Sequence, residues 1–209
     1  MTVELVWATP NAEAMITAMA RVSAPQNQNN METAPRLLAY LIKHKHWSPF
    51  EMANLCVKIR TERDISAQIL RHRSFSFQEY STRYAEAQSY TVPEFRRQDT
   101  ANRQNSIDDL SQDMKNQLAA MTEQTLNQCE ETYQTMLRLG VAKETARRIL
   151  PLCTKTTLYM NGTLRSYIHY IQVRADSSTQ LEHRKIAIAI KDIFCKEFPV
   201  IGKAVFDNQ

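Results

Sequence analysis

With only three glycines in 209 residues, Gly140, Gly162 and Gly202, the chain cannot build a Rossmann G-x-G-x-x-G turn or a P-loop. Both need several close glycines to bring backbone N–H groups onto phosphate. Any nucleotide must be held instead by arginine forks, hydroxyls and helix N-termini. The four cysteines, Cys56, Cys129, Cys153 and Cys195, stand far apart, with no C-x-x-C pair and no histidines at ligand spacing. Neither a metal site nor a disulfide framework is indicated, and reduced, cytoplasmic thiols are expected. No segment reaches the roughly 18 apolar residues of a membrane helix, and the start MTVELVWATPNAE has neither a basic flank nor a signal-type apolar run. A soluble, unexported protein with no membrane partner is expected.

Charge of one sign is not in great excess: 26 Lys and Arg oppose 22 Asp and Glu, a net charge of +4. That suits a small anionic ligand and falls short of an arm that coats nucleic acid. At 43% hydrophobic and 23% charged, residues 1–209 can bury one sizeable core, and a single catalytic domain is the expectation.

What the chain does have is concentrated at 71–84, RHRSFSFQEYSTRY. Arg71, Arg73 and Arg83 are permanent planar cations suited to phosphate, Ser81 adds a hydroxyl, and Glu79 accepts from an N–H or a sugar hydroxyl. Singly, such residues are most often solvated surface groups, and Phe75 and Phe77 could simply face a core. Together they specify Arg-His-Arg, seven residues, then Ser, a pattern with four fixed identities. Arginines interleaved with Phe75, Phe77, Tyr80 and Tyr84 also admit a second reading, a base-stacking module for single-stranded nucleic acid. Glu79, Glu86 and the modest net charge oppose it, and no nucleic-acid partner is expected.

Hydrophobic periodicity predicts a strand over 3–8, helices over 12–22 and 33–44, a strand over 49–60 and a helix over 62–72. An irregular stretch at 90–99 precedes a long amphipathic helix over 106–139 that ends at Gly140. A short helix over 142–150 stopped by Pro151, a strand over 156–160 and helices over 163–174 and 179–198 complete the chain. The fold class is α+β, an antiparallel sheet flanked by helices.

The Arg-His-Arg-x7-Ser pattern followed by Arg83-Tyr84 resembles the signature of the flavin-dependent thymidylate synthases. HWSPFE at 46–51 and RSYIHYIQVRADSSTQLE at 165–182 agree with it, so the resemblance spans most of the chain. It implies that family's α+β fold and the methylation of dUMP to dTMP, with methylenetetrahydrofolate as one-carbon donor, FAD as redox cofactor and NADPH as reductant. By resemblance Arg71, His72 and Arg73 lie against FAD, with His46, Ser48 and Glu51 over the flavin and Ser23, Arg165 and His169 also facing it. Gln68, Arg71, Glu79, Ser81, Arg83 and Arg147 shape the dUMP pocket, Glu79 also reaching FAD, and Arg174 polarises the uracil ring. Gln78, by resemblance also a flavin contact, stands where relatives often carry Asn, and His169 where some do, both keeping hydrogen-bonding capacity but changing reach. Asn161 and Thr163 are alternatives for the family's asparagine that contacts the flavin, Asn161 being put forward.

The chemistry implied needs no protein nucleophile. Ser81 has no Ser-His-Asp setting and is read as a substrate ligand, and Cys153 as a buried, inert thiol. The resemblance also implies a homotetramer whose active sites are shared, with the arginine clusters 71–83 and 147–174 on different chains around one site.

Overall fold

The structure, a computed structural model, describes residues 1–207. A four-stranded sheet of β1 (Thr2–Ala8), β2 (Asn54–Glu62), β6 (Lys155–Thr163) and β3 (Ser76–Glu79), in that order, pairs antiparallel throughout. A small hairpin of β4 (Arg97–Gln98) and β5 (Ser106–Ile107) stands apart from it. The mixed, antiparallel architecture expected from the sequence is therefore present.

Alternation in the two central strands decides which face is covered. Leu55, Val57 and Ile59 of β2 and Leu158 and Met160 of β6 are fully buried on one face. There they meet α3 (Arg63–Ile69), α6 (Leu164–Arg174) and α7 (Leu181–Glu197). Helix α8 (Pro199–Phe206) bridges α7 and α2 (Ala34–Lys43), and α2 packs on α1 (Ala12–Ala20). The backbone N–H of Ile201, in the first turn of α8, donates to Glu13 Oε1 of α1 at 2.8 Å, which satisfies a donor that the helix itself leaves unpaired.

Two starts differ most from the periodicity. The strand expected from Pro49 begins at Asn54, because Ser48–Glu51 form a 3₁₀ turn. Pro49 suits the start of that turn, having no N–H to lose, and Phe50 is driven to zero exposure beneath it. The long helix α4 (Gln112–Arg138) begins six residues later than 106, because Ser106 and Ile107 pair with β4 and Ser111 caps the helix through its hydroxyl. At its other end Gly140 takes the left-handed conformation at φ 83°, as expected. The last predicted helix, 179–198, matches α7, which Phe198 terminates, and Pro199 opens a further helix, α8, that the periodicity does not mark.

The 27 residues of α4 span about 40 Å, yet only Leu126 and Tyr133 are buried. Met114 and Met121 of its apolar stripe lie exposed in the single chain. α5 (Lys143–Ala146) and a 3₁₀ turn at Arg147–Ile149 follow.

Candidate active site

Arg174 is the last residue of α6, where a cation complements the helix dipole. Its Nε donates to Nε2 of His72 at 2.8 Å, and its two terminal nitrogens have no partner among the described residues. The guanidinium is thus held by one edge, with the fork left over. His72 must accept at Nε2, so it is neutral there. Burial, then the charge of Arg174, then His169 lower its pKa to about 4. Behind it the Tyr170 ring meets His72 edge-on at 4.9 Å, and fully buried His183 bonds the Tyr170 hydroxyl at 3.0 Å through Nε2. Gln68 closes this group, its Oε1 3.4 Å from His183 Nδ1.

These contacts bring residues of both arginine-bearing segments, 71–83 and 147–174, together within one chain at His72 and Arg174. Arg71, Arg73 and Arg147 form no side-chain hydrogen bond or ion pair among the described residues, with Arg71 and Arg73 exposed and Arg147 half-buried. Arg83 makes an exposed ion pair with Glu144 at 3.4 Å, close in sequence to Arg147. Ser81 accepts from the Arg83 backbone N–H at 3.3 Å. Its hydroxyl has no histidine partner among the described residues. Glu79 is anchored from below by two buried hydroxyls, Ser66 at 2.8 Å and Thr156 at 3.0 Å, both on its Oε1. Cys153 is half-buried rather than buried, and burial raises its thiol pKa, the opposite of an activated nucleophile.

The base-stacking alternative fails on the aromatic rings. Phe75 is buried edge-on to Tyr167 at 4.9 Å, and Phe77 packs partly on the core. Tyr80 spends its hydroxyl on Glu86 O at 2.6 Å. Only Tyr84 of the four stands free, at 78% exposure, so no stacking platform forms. Phe75 lies so close to Gly162 that a Cβ there would stand 2.4 Å from its ring. This contact explains why β6 carries glycine beside the signature.

The flavin-facing residues divide into three places. Glu51 pairs with Arg165 across a cleft of about 470 Å³ that also carries Trp47, Ser74, Ser166 and His169. Its cation, hydroxyls and indole suit part of an anionic, aromatic cofactor. His46 and Ser48 do not line it: His46 is exposed beside Tyr40, and Ser48 is exposed in the 3₁₀ turn. Ser23 is exposed in the turn after α1 and does not line it either. Gln78 and Asn161 belong to the opposite face of the sheet, in register with Tyr159 and Ser76. There the Asn161 Oδ1 is buried with no hydrogen-bond partner, an orphan acceptor of the kind a bound donor would satisfy. Thr163, the alternative to Asn161, is used as the cap of α6, accepting from Ser166 N at 3.2 Å.

Periodicity alone passed over Tyr170 and His183. The signal was present, since His183 stands three residues before Ile186 and seven before Ile190 on the buried face of α7. The structure gives these rings a measurable consequence. His183 and His72 each have a folded pKa near 4, lowered first by burial, against an ordinary value of 6.5. The unfolded chain therefore binds protons more readily than the folded one between about pH 6.5 and 4. Stability from these groups is complete above that window, falls as pH drops through it, and levels off below about pH 4. Thermal melts from pH 7 to 4.5 are expected to fall less steeply for His183→Leu than for the parent, by at most about 1.4 kcal/mol per pH unit for one group. Parallel slopes would refute the buried neutral ring.

Known proteins resemble this chain along most of its length. The family model described as "Thymidylate synthase complementing protein" matches residues 4–200. The "Probable flavin-dependent thymidylate synthase" of Paramecium bursaria Chlorella virus 1 is 51% identical over 195 residues, covering 93% of this chain and 90% of its own. The flavin-dependent thymidylate synthase of Synechocystis sp. is 48% identical over 193 residues, covering 92% and 89%. Among solved structures, the UMP/dUMP methylase PolB of Streptomyces cacaoi, bound with 5-Br dUMP, superposes with a TM-score of 0.87 at 28% identity, over 97% of this chain and 93% of its own. Matched along nearly its whole length by a family model and by close relatives, the chain belongs to the flavin-dependent thymidylate synthase family.

Proposed function

We propose that the protein methylates dUMP to dTMP reductively, taking the one-carbon unit from methylenetetrahydrofolate and reducing equivalents from NADPH through FAD, with no protein nucleophile. The observation that carries the reading is Arg174, clamped at Nε by a neutral His72 while its terminal nitrogens stay unpaired among the described residues. Uracil carbon five is nucleophilic only when the ring takes on enolate character, with negative charge on a carbonyl oxygen, and a fixed, partly desolvated guanidinium stabilises that charge. Arg71, Arg83 and Arg147 supply the phosphate forks, Arg83 exchanging its weak exposed partner Glu144 for phosphate. Glu79 is held by Ser66 and Thr156 to accept from the nucleotide, and Ser81 donates its hydroxyl.

FAD would be held by Glu51, Arg165 and His169 in the cleft, by His72 and Arg73 beside it, and by Asn161 and Gln78 on a further face. When bound, it supplies the two-electron redox step that no side chain here can perform. Residues assigned to one cofactor are spread over separate faces of one chain, as a site completed by other copies requires. The exposed stripe of α4 offers apolar surface for that assembly. We read the active form as a homotetramer with shared sites, which light scattering on the active enzyme measures directly.

The deciding experiment joins two readouts. Purified protein supplied with FAD is expected to show oxidised-flavin absorption, and to release tritium from [5-³H]dUMP only when folate donor and reductant are present. Flavin binding without dUMP-dependent release would overturn the substrate assignment.

A further inference from the structure

A chain of hydrogen bonds runs from the surface to the rings behind Arg174, with its donors and acceptors in one fixed order. Glu182 accepts from Arg96 Nη2 at 2.5 Å and, as a carboxylate, can only accept. Its Oε2 takes a bond from Gln180 Nε2 at 3.0 Å, so the Gln180 oxygen faces the other way. That oxygen accepts from Gln68 Nε2 at 2.7 Å, which leaves Gln68 Oε1 turned to His183 Nδ1 at 3.4 Å. An unprotonated Nδ1 would set two acceptors against each other, so the ring's proton sits on Nδ1. Its Nε2 then accepts from the Tyr170 hydroxyl at 3.0 Å. Each amide and ring orientation follows from the one before it, back to the carboxylate.

We propose that His183 is a positioning residue, locked in its Nδ1–H tautomer by a hydrogen-bond chain whose direction Glu182 sets, and that this chain fixes which end of the Gln68 carboxamide donates and which accepts. A carboxamide distinguishes the edge of one pyrimidine from another only if its nitrogen and oxygen ends do not exchange. Uracil presents an acceptor where cytosine presents an amino donor, so a flipped Gln68 would lose the distinction. The part of the proposal that concerns the pyrimidine rests on the dUMP reading above, and the part that concerns the tautomer does not.

Two measurements separate these parts. Long-range ¹H–¹⁵N correlation NMR on histidine-labelled protein is expected to show His183 protonated at Nδ1 and bare at Nε2. Glu182→Gln, which can both donate and accept, should let the tautomers mix, and Glu182→Asp, which can only accept, should restore the single form. An Nε2–H tautomer in the parent protein, or no change in Glu182→Gln, would overturn the chain's direction. In calorimetry, Glu182→Gln is expected to weaken dUMP binding about tenfold, the worth of one well-placed hydrogen bond, and to narrow the preference for dUMP over dCMP, with Glu182→Asp closer to the parent. Unchanged dUMP affinity and preference in Glu182→Gln would refute the link to Gln68. Absence of dUMP binding in the parent would overturn the substrate reading and leave the tautomer result standing.

Discussion

Replacing Arg174 by alanine is expected to cut turnover on the order of 10² to 10³-fold, the loss seen when one fixed donor to a developing oxyanion is removed. The flavin absorption should persist, because Arg174 does not line the Glu51–Arg165 cleft. Two changes act together: the cation leaves, and His72 loses the donor that its Nε2 accepts from at 2.8 Å. Arg174→Lys should recover little, since a lysine ammonium is a compact point charge and cannot both donate to His72 and present a planar fork to a uracil carbonyl. Steady-state tritium release on flavin-saturated protein makes the measurement. Near-normal turnover in Arg174→Ala would remove the central assignment.

Much of this arrangement could be read from the sequence because the signature residues are consecutive and chemically unusual. Arg174 and the 71–83 window were legible as types, and α6 was legible as a helix. The bond between His72 and Arg174 was not, since it joins side chains 102 residues apart through the packing of α3, β6 and α6. β3 was missed for a related reason. Ser76–Glu79 is a four-residue edge strand whose polar character reflects its position, and only pairing with β6 makes it a strand. The orphan oxygen of Asn161 and the dispersal of Ser23, His46 and Ser48 depend on which face each element turns, and a single sequence does not state that.

Gly162→Ala is expected to lower stability by roughly 1–3 kcal/mol, the usual cost of overpacking a filled core. For a chain of this size that is a fall in Tm on the order of 5 °C. The added methyl would lie 2.4 Å from Cδ1 and 2.7 Å from Cε1 of Phe75. The ring has little room to retreat, being edge-on to Tyr167 at 4.9 Å and to Tyr170 at 5.8 Å. Phe75 also tethers the residues before it, so its displacement should move His72 relative to Arg174 and lower turnover as well as Tm. Phe75→Leu in the Gly162→Ala background should recover part of the lost Tm, because a smaller side chain frees the space the methyl needs. A parental Tm for Gly162→Ala, or no recovery in the double variant, would show that Phe75 does not occupy that space.

The bond from Ile201 to Glu13 closes a span of 188 residues, and Ile201 and Val205 share one core with Ile16 of α1 and Leu38 of α2. During synthesis at 5–20 residues per second, that span takes roughly 10 to 40 s to emerge. Throughout that time the first two helices have left the ribosome without the segment that covers them. Their apolar faces must wait in a loose, exposed state while β1 can already pair with β2. The first two helices therefore keep apolar surface uncovered until α8 arrives to pack on α2.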